Sequence, residues 1–124
     1  MKIVLLIFAL ITLSSCSNED YASEVLKDLA GVSMPKDAKL IETIEDCCSF
    51  NGDGSFYYVY EFISKPSHKD CDYIGEHPHS LNQFTQFKKH LTNMPVCEFH
   101  QNIDDVYYYV FIQENKVMIA WYIV

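Results

Sequence analysis

The stretch DVYYYVFIQENKVMIAWYIV, residues 105–124, decides the fold. Asp105–Gln113 and Lys116–Val124 are two runs rich in β-branched and aromatic residues, and Glu114-Asn115 between them fits a two-residue hairpin connection. The second run is apolar on both faces, which predicts a strand inside a sheet rather than at its edge. Upstream, Ser55–Ile63 reads the same way. Phe56, Tyr58, Tyr60 and Phe62 point to one side, and Tyr57, Val59, Glu61 and Ile63 to the other. Leu40–Cys48 alternates poorly and is expected at an edge. Asn51-Gly52-Asp53-Gly54 between these two strands is a turn signal. It is not a calcium loop, because Ser49 and Tyr60 stand where an EF-hand loop needs carboxylates.

Two segments carry helical spacing instead. Tyr21, Val25, Leu29 and Val32, with Leu26 beside them, form one stripe; Asp20 can cap it, Gly31 lies where it should end, and Met34-Pro35 stops it. After a polar loop over Ser64–Pro78, Ser80 and Gln83 make a capping box, and Leu81, Phe84, Phe87 and Leu91 give a second stripe that Met94-Pro95 closes. The expected order is α-β-β-α-β-β. That is an α+β fold, a four-stranded antiparallel sheet with both helices on one face, as a single domain over residues 21–124.

The N-terminus has a separate logic. Met1-Lys2 is a positive start, and Ile3–Leu13 is an eleven-residue apolar run broken only by Thr12. Such a run spans about half of the ~30 Å hydrocarbon core, so it reads as a signal segment rather than a membrane anchor. Leu13-Ser14-Ser15-Cys16 follows, and it resembles the lipobox of bacterial lipoproteins. The resemblance implies that residues 1–15 are a cleaved leader, that Cys16 carries the lipid, and that 16–20 are the lipidated cysteine and a short tether. Ser17, in place of the aspartate that favours inner-membrane retention, implies the outer membrane. Acyl chains supply ~0.8 kcal/mol per buried CH₂, so such an anchor needs no other contact with lipid. The segment Asp46–Gly54, with its Phe50-Asn-Gly-Asp-Gly54 turn before an aromatic strand, is similar to one in small uncharacterised bacterial proteins and lipoproteins. That similarity implies no particular activity.

Charge narrows the partners. Nine lysines, no arginine and 17 acids give a net charge of −8. Nucleic-acid binding, which relies on basic patches and bidentate arginine, is not expected. Loss of Lys2 with the leader leaves eight lysines against the same 17 acids, a balance that favours basic partners or cations.

Four cysteines remain after Cys16: Cys47, Cys48, Cys71 and Cys97. An even number in an exported domain favours disulfides. A Cys47–Cys48 bridge is disfavoured because strand neighbours point apart, which leaves 47–71 with 48–97, or 47–97 with 48–71. The rival use is a metal. His68-x-x-Cys71, His77-x-His79 and Cys97-x-x-His100 have ligand-like spacing for zinc or copper, although none is a complete four-ligand framework.

No catalytic constellation is visible: there is no nucleophile elbow, no Cys-x-x-Cys pair and no phosphate-cradling glycine loop. No cofactor is expected. The remaining signal is aromatic surface. Tyr57, Tyr58, Tyr60, Tyr107, Tyr108, Tyr109 and Tyr122 exceed what one covered sheet face can bury, so part of this set is expected on an open face that binds a partner. The chain therefore reads as a non-enzymatic, lipid-anchored envelope protein that binds a basic protein or an envelope component. An inhibitor or immunity-type role fits its size. The alternative is a periplasmic metal-binding lipoprotein using the Cys/His-rich segment 47–100.

Overall fold

The computed structural model describes residues 19–46, 54–75 and 84–123. Six strands form one antiparallel sheet in the order β1-β2-β6-β5-β4-β3. They are β1 (Lys39–Asp46), β2 (Gly54–Glu61), β3 (Tyr73–Gly75), β4 (Val96–Ile103), β5 (Val106–Gln113) and β6 (Lys116–Ile123). Residues 19–30 are helical (α1), and Thr85–Lys88 is a single helical turn (α2).

The centre is built as the residue pattern requires. β6 pairs with β2 from Gly54↔Ile123 to Glu61↔Lys116, and with β5 from Val106↔Ile123 to Gln113↔Lys116. Its apolar side chains alternate between two cores. Val117, Ile119 and Trp121 join Tyr58, Tyr60, Val110 and Ile112 under Ala22, Val25, Leu26 and Ala30 of α1. Met118 and Ala120 join Val59 and Phe111 under Phe84 and Phe87. Full burial of each such Val, Leu or Phe stabilises by roughly 1.5–3 kcal/mol.

This corrects the expected four-stranded sheet with two helices on one face. The sheet has six strands, mostly β, and the helical elements lie on opposite faces. β4 escaped because half of it is polar. Glu98 and His100 lie on one face, opposite Phe111 and Tyr109, and Gln101 and Asn102 follow, so its polarity resembles that of a connection. β3 is three residues long, too short for alternation to register. The second helix is a single turn, Thr85–Lys88, and Phe84 and Phe87, three apart, both enter the second core from it. The expected capping residues Ser80 and Gln83, and Leu81, lie outside the described residues. So do Asn51, Gly52 and Asp53 of the expected turn.

Two local features set the edges. A bulge between Leu40 and Glu42 breaks the β1–β2 register. Before it Leu40 pairs with Tyr60 of the α1 core, and after it Glu42, two residues on, pairs with Val59 of the other core. The α1 helix ends at Gly31, whose φ of +72° is the left-handed geometry that glycine tolerates and other residues resist. Lys69 then caps that end. Its backbone N–H donates to the Ala30 carbonyl at 2.9 Å and its Nζ to the Asp28 carbonyl at 3.1 Å, a cation at the negative pole of the helix. That cap fixes the path of residues 62–72 across the sheet.

Candidate functional site

Parity along the strands divides the seven tyrosines. Tyr58 and Tyr60 are buried under α1. Tyr108 lies on the same side, with its hydroxyl hydrogen-bonded to that of Tyr21. These three are core or core-edge residues, not an open binding face. The other four lie on the α2 side, where α2 covers only part of the sheet. Tyr57 meets Phe84 edge-on at 5.3 Å. Tyr107 stacks on Tyr122 at 4.9 Å, Tyr122 on Tyr109 at 6.2 Å, and Tyr109 on Phe111 at 5.9 Å. The result is a terrace of half-buried rings running from the Phe84 plug toward the sheet end (Tyr107 pairs with Asn102 and Tyr122).

The terrace has a polar margin. His100 packs 6.4 Å from Tyr109 and its Nδ1 lies 3.1 Å from the carboxylate of the nearly buried Glu98. The Asp72 carboxylate accepts from the His100 backbone N–H at 3.0 Å. Exposed Asp104 and Asp105 form the adjoining turn, with φ of 50° and 65°, values suited to a tight hairpin of this twist. At the opposite end of the sheet the corresponding row is Lys39, Glu61, Lys116 and Gln113. Charge is thus unevenly distributed along the strands. Burial, then the hydrogen bond with Tyr122, pushes the Tyr109 hydroxyl up to about 12, so this ring stays neutral at physiological pH.

The cysteines are arranged differently from either expected pairing. Cys71 and Cys97 form a disulfide, which overturns both 47–71 with 48–97 and 47–97 with 48–71. The reason is strand register. Ile74 pairs with Cys97, and the chain entering β3 brings Cys71 alongside β4. Cys47 and Cys48, like Cys16, lie outside the described residues. His68 stands above the bridge, edge-on to Phe99 at 5.7 Å. Its Nδ1 is 2.7 Å from the Lys69 carbonyl oxygen and 3.9 Å from Cys97 Sγ.

Of the expected metal ligands, the fold brings together His68, Cys71 and Cys97, with one ligand atom from each within 4.8 Å of the others. His100 is not among them; it sits on the terrace side with Glu98. His77 and His79 lie outside the described residues. While the two sulfurs are bonded to each other neither is the thiolate that zinc or copper requires. The grouping is therefore a disulfide with a histidine beside it.

One cluster has no counterpart in the sequence reading. The Glu42 carboxylate accepts from His90 Nε2 and pairs with Lys89 Nζ at 2.9 Å. The hydrogen bond from His90, then that from Lys89, holds the Glu42 carboxyl below its ordinary range. A cavity of about 70 Å³ opens beside it, lined by Ile44, Tyr57, Val59, Phe87 and Met118 among others. That is far below the ~300–1,000 Å³ of a metabolite site. The sequence separation of 48 between Glu42 and His90 hides the pairing from any local reading. By contrast, Asp104-Asp105 was detectable as a two-residue turn once β4 is seen as a strand.

No helix among the described residues is long and apolar enough to cross a membrane. Comparison with protein-family models, with curated proteins and with solved structures finds no match.

Proposed function

We propose that this chain is a lipid-anchored protein of the cell envelope that acts by binding, and that its binding surface is the terrace of Tyr57, Tyr107, Tyr109 and Tyr122. The anchor reading rests on the sequence: a positive start, an eleven-residue apolar run, and Leu13-Ser14-Ser15-Cys16. The outer membrane is the favoured location because Ser17 follows that cysteine. The observation that carries the binding reading is the stacked Tyr107–Tyr122–Tyr109 series, left half-buried where α2 stops. Tyrosine offers a large rigid contact area at small entropic cost, which suits it to protein interfaces. A net charge of −8 and the exposed Asp104-Asp105 turn at the margin favour a basic protein as partner. An inhibitor or immunity-type role is compatible with this arrangement.

Two measurements test the reading in cells expressing the full chain. A clickable fatty acid should label the protein and the label should vanish in Cys16→Ser, which should also leave the membrane fraction. A photo-crosslinking residue placed at Tyr107 or Tyr122 should give one discrete adduct with a basic protein, and the same residue at Lys36 or Lys65 none. Adducts formed equally from all four positions would overturn the terrace as the binding surface.

A further inference from the structure

We propose that the Cys71–Cys97 disulfide is a thiol-exchange site, attacked by an external thiol at Cys71 and opened against the His68 imidazole. Three features of the bridge carry this, and none depends on the anchor or on the tyrosine terrace.

The first is asymmetry of access. Cys97 is 4% exposed inside the α1 core, whereas Cys71 is only partly buried at the edge of that core. An incoming thiolate reaches Cys71 Sγ first, and in-line attack there makes Cys97 the leaving group.

The second is a donor within reach of that leaving group. The Lys69 carbonyl oxygen can only accept, so at 2.7 Å from it His68 Nδ1 carries the hydrogen. The same N–H lies 3.9 Å from Cys97 Sγ. A disulfide sulfur is a weak acceptor and a thiolate a strong one. The interaction therefore strengthens only as the S–S bond breaks, which is the condition for lowering a barrier.

The third is rigidity. Lys69 is tied to the end of α1 through the Ala30 carbonyl at 2.9 Å, and the His68 ring is held edge-on by the buried Phe99. The ring is thus held in place when charge appears, and only the shared N–H shifts from the Lys69 carbonyl toward Cys97 Sγ.

The reaction balances as two thiol–disulfide exchanges. The external thiolate attacks Cys71 Sγ; a bond forms between them, the Cys71–Cys97 bond breaks, and its electron pair leaves on Cys97 Sγ. A second external thiol displaces Cys71 from the mixed disulfide. Two thiols are oxidised to one external disulfide, and the protein accepts two electrons and two protons as the Cys71 and Cys97 thiols. Small thiols and exposed protein dithiols are both substrates in this chemistry.

The test uses the intact oxidised chain and glutathione at limiting concentration. After acid quenching and alkylation, tryptic peptides 70–88 and 90–116 carry one of the two cysteines each, so mass spectrometry locates the adduct. It should lie on Cys71. Reduction by dithiothreitol should slow roughly 3- to 10-fold in His68→Phe, which keeps a ring against Phe99 but has no donor; His68→Gln, which restores an N–H, should recover part of the rate. An adduct on Cys97, adducts on both cysteines alike, or wild-type rates in a folded His68→Phe would overturn the proposal. If His68→Phe does not fold, as near-ultraviolet circular dichroism would report, the position of the wild-type adduct decides alone.

Discussion

Tyr58 and Tyr109 are both strand tyrosines stacked on other rings, yet they end in different environments. Tyr58 lies under α1 at 1% exposure, parallel to Trp121 at 5.6 Å, with its hydroxyl donating to Glu45. Tyr109 lies on the other face, stacked on Phe111 and Tyr122, and remains half-buried. The difference arises in the cover, not in the strands. One face receives a helix whose Ala22, Val25, Leu26 and Ala30 all turn inward; the other receives one turn carrying Phe84 and Phe87. A strand of alternating aromatic residues prepares two surfaces, and the length of the element packed on each determines which becomes core.

Adjacent residues of β6 give the sharpest way to break that comparison. Trp121 contacts Phe56, Tyr58 and Tyr21 on the covered face. Trp121→Ala should cost about 3–5 kcal/mol of folding stability in chemical denaturation. Tyr122→Ser, one residue on and on the terrace, should cost only about 1 kcal/mol. Equal losses would mean that the terrace is as much core as the face under α1. The next effect in size concerns the flank of the covered core, where Cys97 belongs to the buried cluster and Cys71 packs against it. The bridge closes a 26-residue separation. Its removal in a Cys71→Ala/Cys97→Ala variant should lower stability by about 3.5 kcal/mol on the loop-entropy account, with the terrace adduct described above unaffected.

A smaller effect belongs to the α2 side. Glu42, His90 and Lys89 bind the β1 edge to the segment after α2. The folded state holds the Glu42 carboxyl below its ordinary value of 4.5. Its contribution is therefore present above that value and is lost as pH falls through the depressed folded one. Lys89 is more than half exposed, so solvent screens the pair and the contribution is small. A thermal-melting series downward from pH 5 should show a steeper loss in the wild type than in Glu42→Gln. Parallel slopes would remove Glu42 from the acid response.

The sequence makes the middle of this fold plain and its borders obscure, for identifiable reasons. β2, β5 and β6 are long, aromatic and doubly apolar, and their parity assigns Tyr58 and Tyr60 to one face and Tyr57 to the other. Parity cannot tell which face a helix will close, so the seven tyrosines could be divided but not ranked. β4 was hidden because its polar residues are used within the sheet: Asp72, distant in the chain, bonds the His100 backbone, and His100 meets the nearly buried Glu98 two residues before it. At Glu98 local polarity then no longer reports exposure. Missing β4 also misplaced the disulfide, since Cys71 and Cys97 meet only when β3 is laid along β4. The His68 contact with Cys97 spans 29 residues and has no local signature at all.

The two final hairpin turns allow a control on all of these effects. Asp104 and Asp105 at the acidic end both have positive φ, and aspartate tolerates that region through local hydrogen bonding. At the other end Glu114 has φ of 55°, where its Cβ is crowded by backbone and its long side chain offers no such relief. The chain accepts this because Asn115 is held there. Its Nδ2 donates to the Phe62 carbonyl at 2.7 Å, while its own carbonyl accepts from the Phe62 N–H at 2.8 Å. Glu114→Gly removes the crowding but gives the unfolded chain more freedom, and the first term is the larger. Stability should therefore rise by about 0.5–1 kcal/mol. Because this turn lies at the end of the sheet opposite the terrace, crosslinking from Tyr107 and Tyr122 should not change. A gain in stability accompanied by altered crosslinking would show that the terrace responds to the stability of the whole sheet rather than to its own local cover.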